Sequence, residues 1–212
     1  GIVYIREGTY KGAIFLSPSV SNKWIAYPGE KPVLDLNLSA MTPQSDYGYI
    51  DGLEIINARR YAFSFEYPSN NWMFRRNHMH HLYDDSEGEN PSFIFFWTSD
   101  DPNVSAHKKM IIQDNVFHDL FDRGSGINRD NSANFHGGAS VMFSVSKMLF
   151  EDNRISKIDG AGVKDKANGR FNTFRGNFII ENKQNDYNYG LVIGFIDIDN
   201  KKSIKINVML II

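Results

Sequence analysis

No cysteine occurs among the 212 residues. Disulfides and thiolate metal ligation are therefore excluded, and cysteine usage carries no trace of a redox compartment. Charge of one sign is equally scarce. The 23 Lys and Arg are balanced by 25 Asp and Glu, a net charge of −2, so no basic excess points to nucleic acid as a partner. No apolar run approaches the ~18 residues of a membrane-crossing helix, and no membrane insertion is expected. There is no phosphate-binding Gly-Lys-Ser/Thr loop, no dinucleotide fingerprint after a strand, no Gly-x-Ser-x-Gly elbow and no His-Glu-x-x-His. No long stretch keeps a helical period. What remains is a chain with 42% hydrophobic and 14% aromatic residues, enough for a packed core in a single domain over 1–212.

The chain writes one short phrase five times. The copies are Phe74-Arg-Arg-Asn77-His-Met79, Ile112-Gln-Asp-Asn115-Val-Phe117, Phe150-Glu-Asp-Asn153-Arg-Ile155, Phe174-Arg-Gly-Asn177-Phe-Ile179 and Ile204-Lys-Ile-Asn207-Val-Met209. A large apolar residue stands three positions before each Asn and another two positions after it. That pattern describes a strand turning a corner, with apolar side chains inward on both sides and Asn at the bend, where it tolerates left-handed backbone. Stacked copies set Asn above Asn, and such amide ladders stabilise parallel strands.

Successive asparagines are 38, 38, 24 and 30 residues apart. Unequal periods suit a β-solenoid, in which loops of any length leave a constant core. A second strand per repeat is expected at Ala62–Phe65, Phe93–Trp97, Val141–Val145, Gly162–Asp165 and Leu191–Phe195. Residues 1–16 and 23–36 read as further strands around a Pro28-Gly29 turn. Gly52–Ala58 reads as an earlier repeat whose Asn57 stands in a shifted register. The expectation is an all-β, right-handed parallel β-helix of about six or seven coils with an internal Asn ladder. The chain starts at Gly1, and Val208–Ile212 stops in an apolar strand. This reading expects a partial solenoid, with self-association through uncapped ends.

The Asn phrase, with the opening Val3-Tyr-Ile-Arg-Glu-Gly8-Thr-Tyr10-Lys-Gly12, resembles the right-handed parallel β-helix proteins of the pectate-lyase-like superfamily. Residues 1–16 and Gly52–Arg60 look somewhat like its alginate and chondroitin lyase branch. The resemblance covers nearly the whole chain. It implies a secreted protein, extracellular or periplasmic, acting on an acidic polysaccharide. In that branch a Lys in a similar strand-turn-Asn phrase serves as base for β-elimination. Lys164 is the position that best resembles it, and Arg175 would bind or neutralise the carboxylate. The branch's acidic calcium ligands before the Lys are reduced here to Asp159, and no Arg lies within Tyr189–Asn207 to match its catalytic arginine.

The residues themselves offer further candidates. Counting from the Asn frame, Arg76 should approach Asp114, and Glu151 should approach Arg175. These columns form either a surface salt-bridge ladder or a groove for a charged sugar in which Arg75 and Arg76 bind. Asp114 and Asp152 would stack as hard oxygen ligands suited to calcium. His80 and His118 fall one repeat apart and could share a metal, act as acid and base or bind substrate; His78 is the alternate-residue partner of His80. Lys166 lies in the most basic stretch, and His136 in a Gly/Asn/Ser-rich loop at 124–138, both as substrate-binding candidates. The acidic run Asp84–Glu89 and the pair Asp100-Asp101 are loop sites that could hold calcium or stay solvated. Trp72, Trp97, Tyr83, Tyr187 and Tyr189 could stack on sugar rings or serve the core. Two functional classes remain open: a polysaccharide lyase, and a non-catalytic β-helix module for glycan binding, adhesion or structure.

Overall fold

A computed structural model describes residues 1–12, 23–86, 90–97, 107–122, 137–166, 169–182 and 191–194. Among these the chain is all β, without helix, and its strands pair almost wholly in parallel. They fall into three ribbons. The first is Val3–Ile5, Lys23–Ala26, Tyr49–Asp51, Met73–Arg75, Ile111–Gln113, Leu149–Glu151 and Thr173–Arg175. The second is Thr9–Lys11, Val33–Asp35, Glu54–Arg59, His78–Asp84, Val116–Asp122, Arg154–Ile158 and Phe178–Ile180. The third is Tyr61–Phe65, Ser92–Phe96, Gly138–Phe143, Val163–Lys166 and Leu191–Gly194, joined to the second by one antiparallel pair, Arg59 with Tyr61. A short fourth pairing sets His107–Lys108 beside Val145–Ser146.

The register follows the sequence phrase. Ile50, Phe74, Ile112, Phe150 and Phe174 are successive partners in the first ribbon. Ile55, Met79, Phe117, Ile155 and Ile179 are their counterparts in the second. Side chains from all three ribbons meet in one core, which includes Ile50, Met79, Phe63, Phe65, Phe96 and Met142. Each buried Phe or Leu withdrawn from water contributes about 1.5–3 kcal/mol.

The ladder is real; Asn77, Asn115 and Asn153 are buried and Asn177 is half-buried. Asn77 Nδ2 donates to Asn115 Oδ1 at 3.0 Å, Asn115 to Asn153 at 3.0 Å, and Asn153 to Asn177 at 3.0 Å. Each Oδ1 also accepts the backbone N–H of the Asn one repeat earlier, again at 3.0 Å. Each Nδ2 also donates to a first-ribbon carbonyl, those of Ile50, Phe74, Ile112 and Phe150. At its first position the ladder holds Leu53, not an asparagine: Leu53 N–H donates to Asn77 Oδ1 at 3.1 Å. Asn57 stands elsewhere, donating its amide to Asp35. Asn207 and the rest of the fifth phrase lie outside the described residues.

The left-handed residue is not the ladder Asn but the one before it. Gly52, Arg76, Asp114, Asp152 and Gly176 all have φ between 52° and 74°. The turn thus falls on an outward side chain and leaves the Asn free to point in. Two further corners use the same device. Asn57, His81, Asp119, Lys157 and Glu181 form one left-handed column; Tyr47, Asn71, Lys109, Lys147 and Phe171 form the other. The residue after each is turned inward. In the last of these columns Gly48 is followed one repeat later by Trp72, whose ring fills the space a Cβ on Gly48 would need. The shortest repeat carries Asn at all three corners, Asn172, Asn177 and Asn182. Their Oδ1 atoms capture the N–H groups of Met148, Asn153 and Ile158.

Two ionisable groups sit in the core. His107 packs edge-on against Phe65 and Phe96, and neither ring nitrogen has a well-aligned partner. Burial pushes it down to about 4, against a weaker pull from the carbonyls of Trp97 and Ser69. Asp165 occupies the column of Phe65, Phe96 and Met142. Burial raises it to about 6, although Asn172 donates to its Oδ2.

Replacing Asn115 by Ala should lower the unfolding free energy by about 3–5 kcal/mol, because it strands the Asn77 N–H and the Phe74 carbonyl in the core. Lys147→Gly should be neutral or stabilising by up to ~1 kcal/mol, since φ of 56° costs a lysine and not a glycine. Denaturant unfolding of both variants tests the pair. A second test uses pH. The unfolded state binds the proton His107 excludes, so that group's contribution falls as pH drops from 6.5 toward 4. Asp165 holds a proton the unfolded chain has lost, so its contribution falls as pH rises from about 4 to about 6. In the wild type the two slopes oppose each other. Relative to it, His107→Phe should lose stability as pH rises from 4 to 6, and Asp165→Asn should gain, each by roughly 2–3 kcal/mol over that window.

Candidate functional site

The predicted residues divide among the three ribbons. On the first, Arg75 approaches Asp114 at 3.7 Å. Arg76, expected against Asp114, instead reaches back one repeat to Asp51: its Nε donates to Oδ1 at 2.8 Å and its Nη2 to Oδ2 at 2.5 Å. The reason is the left-handed backbone at Arg76, which turns the guanidinium toward the buried Asp51 carboxylate. Burial works to raise Asp51, but Arg76 and the Tyr49 hydroxyl hold it below the usual carboxylate range. Arg175 pairs with Glu151 as expected, and it is exposed. Asp114 and Asp152 stand on consecutive repeats at the outward, left-handed corner, with Asp114 engaged by Arg75. Apart from Arg76–Asp51, whose carboxylate is buried, this ribbon is a ladder of pairs with an exposed cation, each contributing ~0–1 kcal/mol.

The second ribbon gathers histidines. His118 is the strand partner of His80; the rings stack with centroids 4.8 Å apart and planes 5° from parallel. His78, two residues before His80 and on the same side, brings its Nε2 to 2.6 Å from His118 Nε2. His80 Nε2 lies 3.0 Å from Glu54 Oε1, and His118 Nδ1 lies 2.7 Å from Asp119 Oδ2. His80 Nδ1 meets His81 Nδ1 at 2.5 Å. Burial lowers His78 and His80 from the ordinary imidazole value, reinforced by the neighbouring histidines and opposed at both by Glu54.

The third ribbon carries an outward layer of its own. Tyr61, Phe95, Val141 and Phe143 form a cluster separate from the main core. Tyr61 and Phe95 stack at 4.3 Å, and Trp97 packs on Phe95 and Phe143. Trp97 is 37% exposed, whereas Trp72 is core. Lys164 belongs to the column Ser64, Phe95, Val141 and is only 3% exposed. Burial drives it well below the ordinary lysine value, as does the charge of Lys166, while Asp122 pulls the other way. Lys166 donates to Asn90 Oδ1 and lies 5.2 Å over the Phe143 ring. Burial lowers it to about 8.

Asp84 and Asp122 are strand partners at the end of the second ribbon, 2% and 1% exposed. Burial raises Asp84, the Ser86 N–H lowers it, and Asp122 raises it further. Among the described residues Asp84 Oδ2 has no hydrogen-bond partner. The charges acting on Lys164 are those of Lys166 and Asp122, whereas Arg175 feels Glu151 and Asp152. The expected Lys164–Arg175 pairing is therefore split between the third and first ribbons. His136, Asp100, Asp101, Tyr187 and Tyr189 lie outside the described residues.

Sequence reasoning missed the Asp84–Asp122 pairing and the convergence of His78 on His118. The columns read from the sequence, His80 with His118 three residues past the ladder Asn and His81 with Asp119 four past it, stop short of position 84. The signal was available: Asp84 and Asp122 both stand seven residues after a ladder Asn.

No family model matches the chain, and no curated protein matches it. Among solved structures, that of the alginate lyase from Paenibacillus sp. str. FPU-7 is similar at 14% identity over 87% of this chain and 91% of that one, with a TM-score of 0.27. A superposition that loose carries no argument about function.

Proposed function

We propose that the protein is a right-handed parallel β-helix of about six or seven coils, of the pectate-lyase-like kind, that cleaves an acidic, uronate-containing polysaccharide outside the cytoplasm by β-elimination. The observation that carries this reading is Lys164. A lysine buried on the outward side of a ribbon, beside an aromatic layer and a second lysine, is suited to act as a general base because its neutral form is favoured. Lys164 Nζ accepts the proton on the carbon beside the uronate carboxyl group. That electron pair forms the new carbon–carbon double bond, and the glycosidic oxygen leaves from the neighbouring carbon as a hydroxyl, taking its proton from the protonated Lys164 or from solvent water. Lys166 draws the carboxylate toward Lys164. Trp97 offers an exposed ring face for a sugar, with Phe95 and Phe143 behind it.

Arg175, His80, His118, Arg75 and Arg76 belong to other ribbons and enter this reading only as contacts for a longer chain of sugars. Calcium fits Asp84 and Asp122 better than Asp114 and Asp152. The first pair is buried and holds an unpartnered carboxylate oxygen, whereas Asp114 already faces Arg75. A cation there would supply charge neutralisation for the uronate carboxylate. The second reading, a glycan-binding module without turnover, draws on the same Trp97 layer and on the separation of Lys164 from Arg175.

The test is incubation with alginate, pectate and chondroitin, with and without calcium, following the ultraviolet absorbance of unsaturated uronate. A rise is expected on one of the three. Lys164→Ala should remove it by 100-fold or more, the scale of a lost general base, and Arg175→Ala should leave most of it. A rise indifferent to Lys164→Ala would reassign the base. No rise on any substrate, with retained glycan binding, would establish the module.

A further inference from the structure

The histidines of the second ribbon take no part in that chemistry. We propose that His78, His80 and His118 form a binding site for a divalent first-row transition-metal ion of the zinc or copper class. One ligand atom from each of the three lies within 4.8 Å of the other two, and they are the one such group of three among the described residues. The parallel register builds it. His118 is the direct strand partner of His80, and the two-residue strand period puts His78 on the same side.

The carboxylates beside the rings set the tautomers a metal needs. Asp119 Oδ2 accepts from His118 Nδ1–H at 2.7 Å, which leaves the Nε2 lone pair directed at His78 Nε2, 2.6 Å away. Glu54 Oε1 accepts from His80 Nε2–H at 3.0 Å, which leaves Nδ1 as that ring's ligand atom; it faces His81 Nδ1 at 2.5 Å and must turn from it to take the ion. Carboxylate–imidazole–metal relays of this form orient and strengthen imidazole ligands. Two ring nitrogens at 2.6 Å need a proton or a cation between them. A tetrahedral ion with bonds of about 2.0–2.1 Å would hold its nitrogens roughly 3.3 Å apart, so His78 and His118 need part by less than about 1 Å, and ligand atoms as far as 4.8 Å apart would close by about 1.5 Å.

Two features select the ligand class. Three imidazoles suit zinc, copper or nickel and not calcium, which takes oxygen donors. Glu54 and Asp119, facing the same rings, favour a cation. Three protein ligands leave a fourth position for water or substrate, the pattern of a reactive zinc site and not of a closed structural one.

The test is calorimetric titration of the chelator-treated full chain with zinc chloride at neutral pH, beside a cobalt titration followed by visible absorbance and a calcium chloride control. One zinc ion per chain is expected, with an intense tetrahedral cobalt spectrum. His78→Gln and His118→Gln should each weaken zinc by more than about 100-fold, and Asp119→Asn by about 10- to 100-fold. Lys147→Gly, altered at a distant corner, should keep the wild-type affinity. Nitrogen NMR of the wild-type imidazoles makes the outcome independent of variant folding: the resonances of His78, His80 and His118 should shift on adding zinc. Absence of zinc and cobalt binding, shifts confined to other histidines, or unchanged affinity in both His variants would overturn the proposal. Lyase activity is read on the Lys164 variant, so either proposal can fail alone.

Discussion

The hydrogen bond from one repeat's backbone N–H into the next repeat's asparagine Oδ1 is the constraint on which the other features rest. Among the described residues it ties corner to corner from Leu53 through Asn177, largely inside the core, where an unmade bond is costly. Because the Asn points in, the backbone must turn at the residue before it, and that residue adopts left-handed geometry. The rest of the register is set by this turn. With corners superimposed, Phe74 lies against Ile112 and Ile112 against Phe150, and the main core fills as a consequence.

That same register writes the outer surface in columns. A side chain's neighbour is then decided by its offset from the ladder and not by its distance along the chain. Charges at small offsets produced the exposed ion pairs of the first ribbon. Histidines at offsets of one and three gathered on the second. On the third, aromatic residues in successive repeats built an apolar layer against which Lys164 and Lys166 lost most of their water. Desolvation on this scale is what separates the two lysines from the exposed cations of the first ribbon. Lys166 titrates near 8, whereas Arg175 is raised by its exposed pairing with Glu151.

Much of this was legible in the sequence, and the parts that were not share a cause. The phrase around Asn77, Asn115, Asn153 and Asn177 carried the stacking, and the five expected second strands all coincide with third-ribbon strands to within a few residues, though the last was expected to reach Phe195, outside the described residues. The corner geometry was misassigned because Asn is itself a common left-handed residue; the positive φ of Arg76 and Asp114 shows that they carry the turn. Leu53 was passed over because an apolar residue at a ladder position looks like core. Asn172 and Asn182 could have been found from their spacing of five on either side of Asn177. The burial of Lys164, His107 and Asp165 was not legible. A lone charged residue in a strand gives no sign of what the neighbouring repeats will stack over it.

The repeats differ in length, 38 residues against 24, yet meet through the same corner bonds. Each is therefore an interchangeable part. An in-frame loss or duplication running from one ladder asparagine to the next would join surfaces already compatible in shape and hydrogen bonding. Genes of this kind can change length by recombination between repeats without passing through an unfoldable intermediate. The side chains outside the corners are then exchanged as whole cassettes, so that surface chemistry can be gained or discarded a repeat at a time.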